Sequence, residues 1–153
     1  MSTTQAPAPT IKNAGTVAAK PRKLFVNIPV TNLQRSIEFF EALGFTFNPH
    51  FTDGTASSMI VGEDAYFMLL THDKYMSFSK RPYSDPKTYS NALYTITANS
   101  REEVDQIVKT AIAAGGAAAG EPTDYGFMYD WSFYDLDGYG WGVFWMDPSA
   151  IPG

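Results

Sequence analysis

The chain has no cysteine among its 153 residues. Disulfides, thiolate metal sites and a cysteine nucleophile are therefore excluded. It has no excess of basic charge either: the formal net charge is −5. No basic stripe is available for a phosphate backbone, which argues against a nucleic-acid partner. No apolar run approaches membrane-spanning length, and no Gly-rich turn opens a helix as a phosphate loop would, because Gly115-Gly116 follows a helix instead. Histidine is scarce, with only His50 and His72. Residues 1–22 are rich in Ala, Pro and Thr, without apolar periodicity or a signal-peptide core. They read as a disordered tail, and the protein is expected to be cytoplasmic, with no membrane association.

Aromatics are abundant, at 15%. The remaining 23–149 read as a single domain that states one pattern twice. Module one, 23–71, opens with KLFVNIPV, the helix NLQRSIEFFEAL and a stop at Gly44. Module two, 89–149, opens with NALYTITA, the helix SREEVDQIVKTAIAA and a stop at Gly115-Gly116. Each closes on an apolar strand after a turn, AYFMLL and WGVFWM. The expected fold class is α+β: two βαβββ modules forming a curled mixed sheet around a cleft.

Asn32 is placed to cap the first helix, whose apolar stripe is Leu33, Ile37, Phe40 and Leu43. Phe45–Phe51 is expected as strand 2, followed by a turn at Asp53-Gly54. Residues 72–88 are a polar crossover with one helical turn near Asp73–Ser79, and strand 5 is expected over Tyr89–Thr97. Ser100 and Glu103 form a capping box ahead of the stripe Val104, Ile107, Val108, Ala111 and Ile112.

The strings NIPVTNLQRSIEFFEALGF and YGFMYDWSFYDLDGYGWGVFWMDP resemble the opening and closing of the glyoxalase/bleomycin-resistance/extradiol-dioxygenase superfamily, the vicinal oxygen chelate proteins. The resemblance spans 23–149. It implies a divalent metal held by His, Glu or Gln on the inward faces of four strands, with a position left open for substrate. Carried over, those positions fall on Phe25 (with Asn27 next on the same face), Met68, Asn91 and Gly142. None is a good ligand, since phenylalanine and glycine offer no donor and neutral amides bind weakly. His50 and His72 fall near strand ends, where a histidine is ordinarily solvated. The carboxylates sit in helix first turns, on polar helix faces and at turns, all structural positions. No Ser-His-Asp set is evident.

On the closing hairpin, Tyr125, Phe127, Tyr129, Trp131 and Phe133 recur every second residue, as do Tyr139, Trp141, Val143 and Trp145. The intervening residues are also substantially apolar, so both faces need cover. The expected function is binding of a small, largely apolar or aromatic organic molecule without a metal cofactor. Asn27 and Asn91 would orient the ligand by hydrogen bonding; Tyr66, Tyr129 and Trp141 would stack on it. One alternative is an enzyme, a metal-dependent lyase or dioxygenase or a metal-free relative using a tyrosine. Another is an interaction module with a closed cleft. The superfamily resemblance further implies a homodimer.

Overall fold

The computed structural model describes residues 6–150. Two mixed sheets each carry one long helix. The first orders its strands β1-β4-β3-β2, from β1 (Leu24–Pro29), β2 (Thr46–Asn48), β3 (Ala56–Gly62) and β4 (Ala65–Leu70). The second orders β5-β9-β8-β6, from β5 (Leu93–Thr97), β6 (Ala117–Ala118), β8 (Met128–Tyr134) and β9 (Gly140–Met146), with β7 (Thr123–Asp124) also on β8. Helix α1 (Leu33–Ala42) follows β1, α2 (His72–Phe78) follows β4, and α3 (Arg101–Ala113) follows β5. In both modules the first strand pairs parallel with the last, β1 with β4 and β5 with β9. The βαβββ duplication is thus present in three dimensions.

The helix ends follow the local chemistry. Asn32 Oδ1 accepts the Arg35 N–H at 3.1 Å. Ser100 Oγ accepts the Glu103 N–H at 3.1 Å, while Glu103 returns a carboxylate to the Asn99 N–H, also at 3.1 Å. Each bond satisfies a first-turn donor that would otherwise lack a partner. On α3, Val104, Val108 and Ala111 are wholly buried, whereas Ile112 is 40% exposed and lies off the stripe. On α1 the buried apolar residues are Phe39 and Phe40, so the contact face includes a phenylalanine outside the expected stripe.

Two strands are shorter than expected. Strand β2 stops at Asn48, because Pro49 cannot donate to a ladder and Asn48 Oδ1 instead accepts the His50 N–H at 2.9 Å. Pro49–Phe51 form a 3-10 turn in place of the rest of strand 2. Strand β5 begins at Leu93 rather than Tyr89. Its sole partner is β9, and the register ends at Leu93 opposite Gly140. Upstream, the Asp85 carbonyl accepts the N–H groups of Thr88 (3.0 Å) and Tyr89 (2.9 Å), committing 85–89 to a turn.

The modules share one core. Trp141 of β9 is wholly buried, with ring centroids of Phe67 at 4.8 Å, Phe40 at 5.2 Å and Tyr94 at 5.2 Å. Polar links cross the same junction. Tyr139 donates its hydroxyl to the Pro29 carbonyl at 2.7 Å, and Asp137 Oδ1 accepts the Thr31 N–H at 2.8 Å. The helix-bearing sides of the two sheets therefore meet each other, and their other faces point outward. Residues 6–22 have no helix or strand and are exposed. Among the described residues no helix is long and apolar enough to cross a membrane.

Candidate functional site

The positions that would hold a superfamily metal follow from the register. Pro29 precedes α1, and Thr97 precedes α3, by the same interval, so Phe25 of β1 corresponds to Leu93 of β5 and Asn27 to Thr95. Across each sheet Asn27 lies opposite Met68, and Thr95 opposite Gly142. The internal symmetry relates Phe25 to Leu93 and Met68 to Gly142, so Leu93 rather than Asn91, which precedes β5, stands at the place equivalent to Phe25. Phe25 does not face an open metal position. It stacks on Tyr66 at 4.7 Å, with the rings 13° apart. A Cβ at Gly142 would stand 3.1 Å from Thr95 Oγ1, so even a small side chain there requires Thr95 to move.

The donor set does not fit a divalent ion. A phenylalanine, a leucine, a methionine and a glycine supply no carboxylate or imidazole. Among the described residues no three His, Asp or Glu side chains come together as a metal site. His50 is exposed on the 3-10 turn after β2. His72 opens α2, and its Nδ1 is 2.7 Å from the Tyr83 hydroxyl.

The chain does form a cavity of about 870 Å³ between the modules, roofed by the crossover. Its walls come from the end of β1, from α2, from residues 79–92, and from the starts of β5 and β9 with the turn between β8 and β9. Both expected orienting amides, Asn27 and Asn91, line it. So do Tyr75, Tyr83, Tyr89, Tyr94, Tyr134 and Tyr139. Its size is within the range typical of small-molecule sites.

The roof has its own framework. Tyr83 is tied to α2 through His72, and its ring packs edge-on to Tyr75 at 5.8 Å between centroids. Asn91 Nδ2 donates to Ser84 Oγ, closing the loop on itself. Lys87 lies against Gly138, where an added Cβ would be 2.6 Å from Lys87 Cγ and 3.0 Å from its backbone N. The crossover and the β8–β9 turn are consequently in direct backbone contact.

Beneath the cavity lies Asp135, 7% exposed. Its Oδ1 accepts the N–H groups of Asp137 (3.0 Å), Gly138 (3.0 Å) and Tyr139 (2.9 Å), and its Oδ2 accepts Trp141 Nε1 at 2.9 Å. Burial pushes its pKa up to about 6, while the Trp141 and backbone donors pull the other way. Burial also raises the pKa of Tyr94 and Tyr139, so both phenols stay protonated at neutral pH.

The remaining expected stacking residues lie elsewhere. Tyr66 is on the outward face of the first sheet, paired with Phe25, and donates to the Glu63 carbonyl at 2.9 Å. Tyr129 points to the helix side, where its hydroxyl donates to Asp105 Oδ1 at 2.6 Å and its pKa rises to about 12, chiefly because of that bond. Trp141 is wholly enclosed, leaving no ring face for a ligand. The period-2 pattern places Tyr129, Trp131, Phe133, Trp141, Val143 and Trp145 together but does not say which side α3 covers. The tyrosines of the crossover carried no periodic signal; their clustering in 75–94 was the only trace in the sequence.

The family model for bleomycin resistance protein-like N-terminal domains matches residues 22–62, which carry β1, α1, β2 and β3. No curated protein matches the chain in sequence. Among solved structures, a hypothetical protein from S. aureus is similar at 27% identity and a TM-score of 0.70, covering 82% of this chain and 95% of its own. A glyoxalase/bleomycin resistance protein/dioxygenase family enzyme from Burkholderia phytofirmans PsJN is 18% identical, with a TM-score of 0.66 and coverages of 80% and 96%. An antibiotic binding protein from Streptomyces sp. CB03234 is 19% identical, with a TM-score of 0.58 and coverages of 85% and 99%.

Proposed function

We propose that this chain, which belongs by its fold to the glyoxalase/bleomycin-resistance/extradiol-dioxygenase superfamily, binds a small aromatic organic molecule in the cavity beneath its crossover, without a metal. The observation that carries the reading is the cavity itself: about 870 Å³, lined by six tyrosines and by Asn27 and Asn91. Phenol rings supply flat apolar area with a polar rim, and the two amides can fix a ligand's orientation through donors and acceptors. The superfamily's metal chemistry is not part of the proposal, because Phe25, Met68, Leu93 and Gly142 present no donor set for it. The antibiotic binding protein from Streptomyces shows that this fold can serve a binding role in a relative of similar architecture.

The binding species is proposed to be a homodimer. Strands β1 and β5 are both sheet edges, and on them Leu24 is 62%, Phe25 48% and Leu93 74% exposed. Apolar edges of this kind are ordinarily paired or covered. Sedimentation at micromolar concentration should give about twice the 16.9 kDa chain mass; a persistent monomer removes this part of the reading.

Function itself is tested by a thermal-shift screen of aromatic compounds. A compound present at 100 times its Kd should stabilise the protein by about 2.7 kcal/mol. Asn27→Ala and Asn91→Ala should each weaken that response. A screen without hits, or hits that ignore both substitutions, counts against the cavity as the site.

A further inference from the structure

The cavity differs in charge from the rest of the protein. The chain as a whole carries −5, yet the formally charged side chains lining the cavity are Arg81, Lys87 and Asp135. Asp135 is occupied by three backbone N–H groups and Trp141 Nε1, which spread its charge beneath the floor. Asp137, on the same turn, is taken up by the Thr31 N–H and by Ser36. Asp85, the carboxylate nearest in sequence to Lys87, does not line the cavity, and it accepts the Lys87 N–H at 3.0 Å and the Thr88 hydroxyl at 3.2 Å.

The two cations have no such partners. Among the described residues the ion pairs are Lys23 with Asp64 and Arg101 with Asp124, so neither Arg81 nor Lys87 has a carboxylate within 4.0 Å. Their backbones are nevertheless held. Ser79 Oγ bonds both the carbonyl and the N–H of Arg81, and the Lys87 stem rests on Gly138. Two anchored, unpaired cations at the edge of a tyrosine-lined cavity form a recognition pattern for a ligand that is aromatic at one end and anionic at the other. The tyrosines and amides alone would accept a neutral compound equally well.

Resting on the cavity reading above, we propose that the ligand carries an oxyanion, a carboxylate or sulfonate on an aromatic body, and that Arg81 and Lys87 hold that group. Charge-assisted bonds from a guanidinium and an ammonium to an oxyanion are stronger than neutral ones, and because both side chains are exposed the preference should weaken as salt is raised.

A matched pair of fluorescent probes tests the charge separately from the aromatic body. 1-Anilinonaphthalene-8-sulfonate and N-phenyl-1-naphthylamine differ by the sulfonate alone. Titrated into the folded full chain at low salt, the sulfonate should bind about tenfold more tightly than the neutral probe. In the Arg81→Gln/Lys87→Gln double variant, which keeps both stems, that ratio should fall close to one. Retention of the native melting temperature shows that the change is not unfolding. Equal or tighter binding of the neutral probe overturns the anion preference while leaving the aromatic cavity standing. A preference for the sulfonate that survives the double substitution overturns the assignment to these two residues. Binding of neither probe instead defeats the cavity reading itself.

Discussion

Replacing Gly138 by alanine tests the contact on which the cavity roof depends. Two separate costs meet at this position. Its φ is +101°, a conformation that costs a residue with a Cβ about 1–2 kcal/mol. The new methyl would also stand 2.6 Å from Lys87 Cγ, 3.0 Å from Lys87 N and 3.1 Å from its Cα. The Cγ can swing aside, but the backbone atoms move only if the crossover lifts, a strain comparable to overpacking at about 1–3 kcal/mol. The total of about 2–5 kcal/mol corresponds to roughly 4–20 °C in Tm for a domain of this size. Two other glycines separate the terms. Gly44 has a φ of +100° but nothing within 4 Å of its would-be Cβ, so Gly44→Ala carries the backbone cost alone. Gly54 has neither a positive φ nor a neighbour, and Gly54→Ala should be neutral or slightly stabilising. Urea denaturation of the three variants should rank them 138, 44, 54 in order of loss. Should Gly138→Ala cost no more than Gly44→Ala, the crossover does not rest on the β8–β9 turn, and the roof described above is misplaced.

Chelator treatment should leave Tm unchanged, and added nickel, zinc or manganese should not raise it; stoichiometric metal removable with loss of stability would return attention to His50, His72 and Glu63. Removal of residues 1–22 should shift Tm by no more than a few degrees, because Ile11 and Val17 are 71% and 86% exposed and hold no core face. Asp135 should give a pH signature. Its folded pKa of about 6 lies above the ordinary 3.8, so the folded state binds the proton more tightly, and this group's contribution to stability falls as pH rises through 6. Relative to Asp135→Asn, which cannot titrate, the wild type should gain about 1 kcal/mol on going from pH 7 to pH 5; parallel profiles of unfolding free energy against pH would show that burial does not raise this carboxyl.

Local physics was written openly in the chain. The duplicated strand–helix order, the Asn32 and Ser100 caps and the turn at Asp137-Gly138 are short-range features, set by side chains bonding to their own backbone neighbours. Each reappears where the sequence placed it. That Phe25, Met68 and Gly142 carry no carboxylate or imidazole was also legible, since side-chain identity does not depend on the fold. What the sequence left open was pairing and sidedness. Strand 5 could not be shortened to Leu93 without knowing that its partner begins at Gly140. Alternation grouped Tyr129 with Trp141 but could not choose between a ligand face and a helix face, because period 2 is symmetric to that exchange. Packing broke the symmetry: α1 and α3 met between the sheets and enclosed Trp141 among Phe40, Phe67 and Tyr94. The cavity likewise exists only in three dimensions. Asn27 and Asn91 are far apart along the chain, and residues 79–92 become a cavity wall only when Lys87 settles on Gly138.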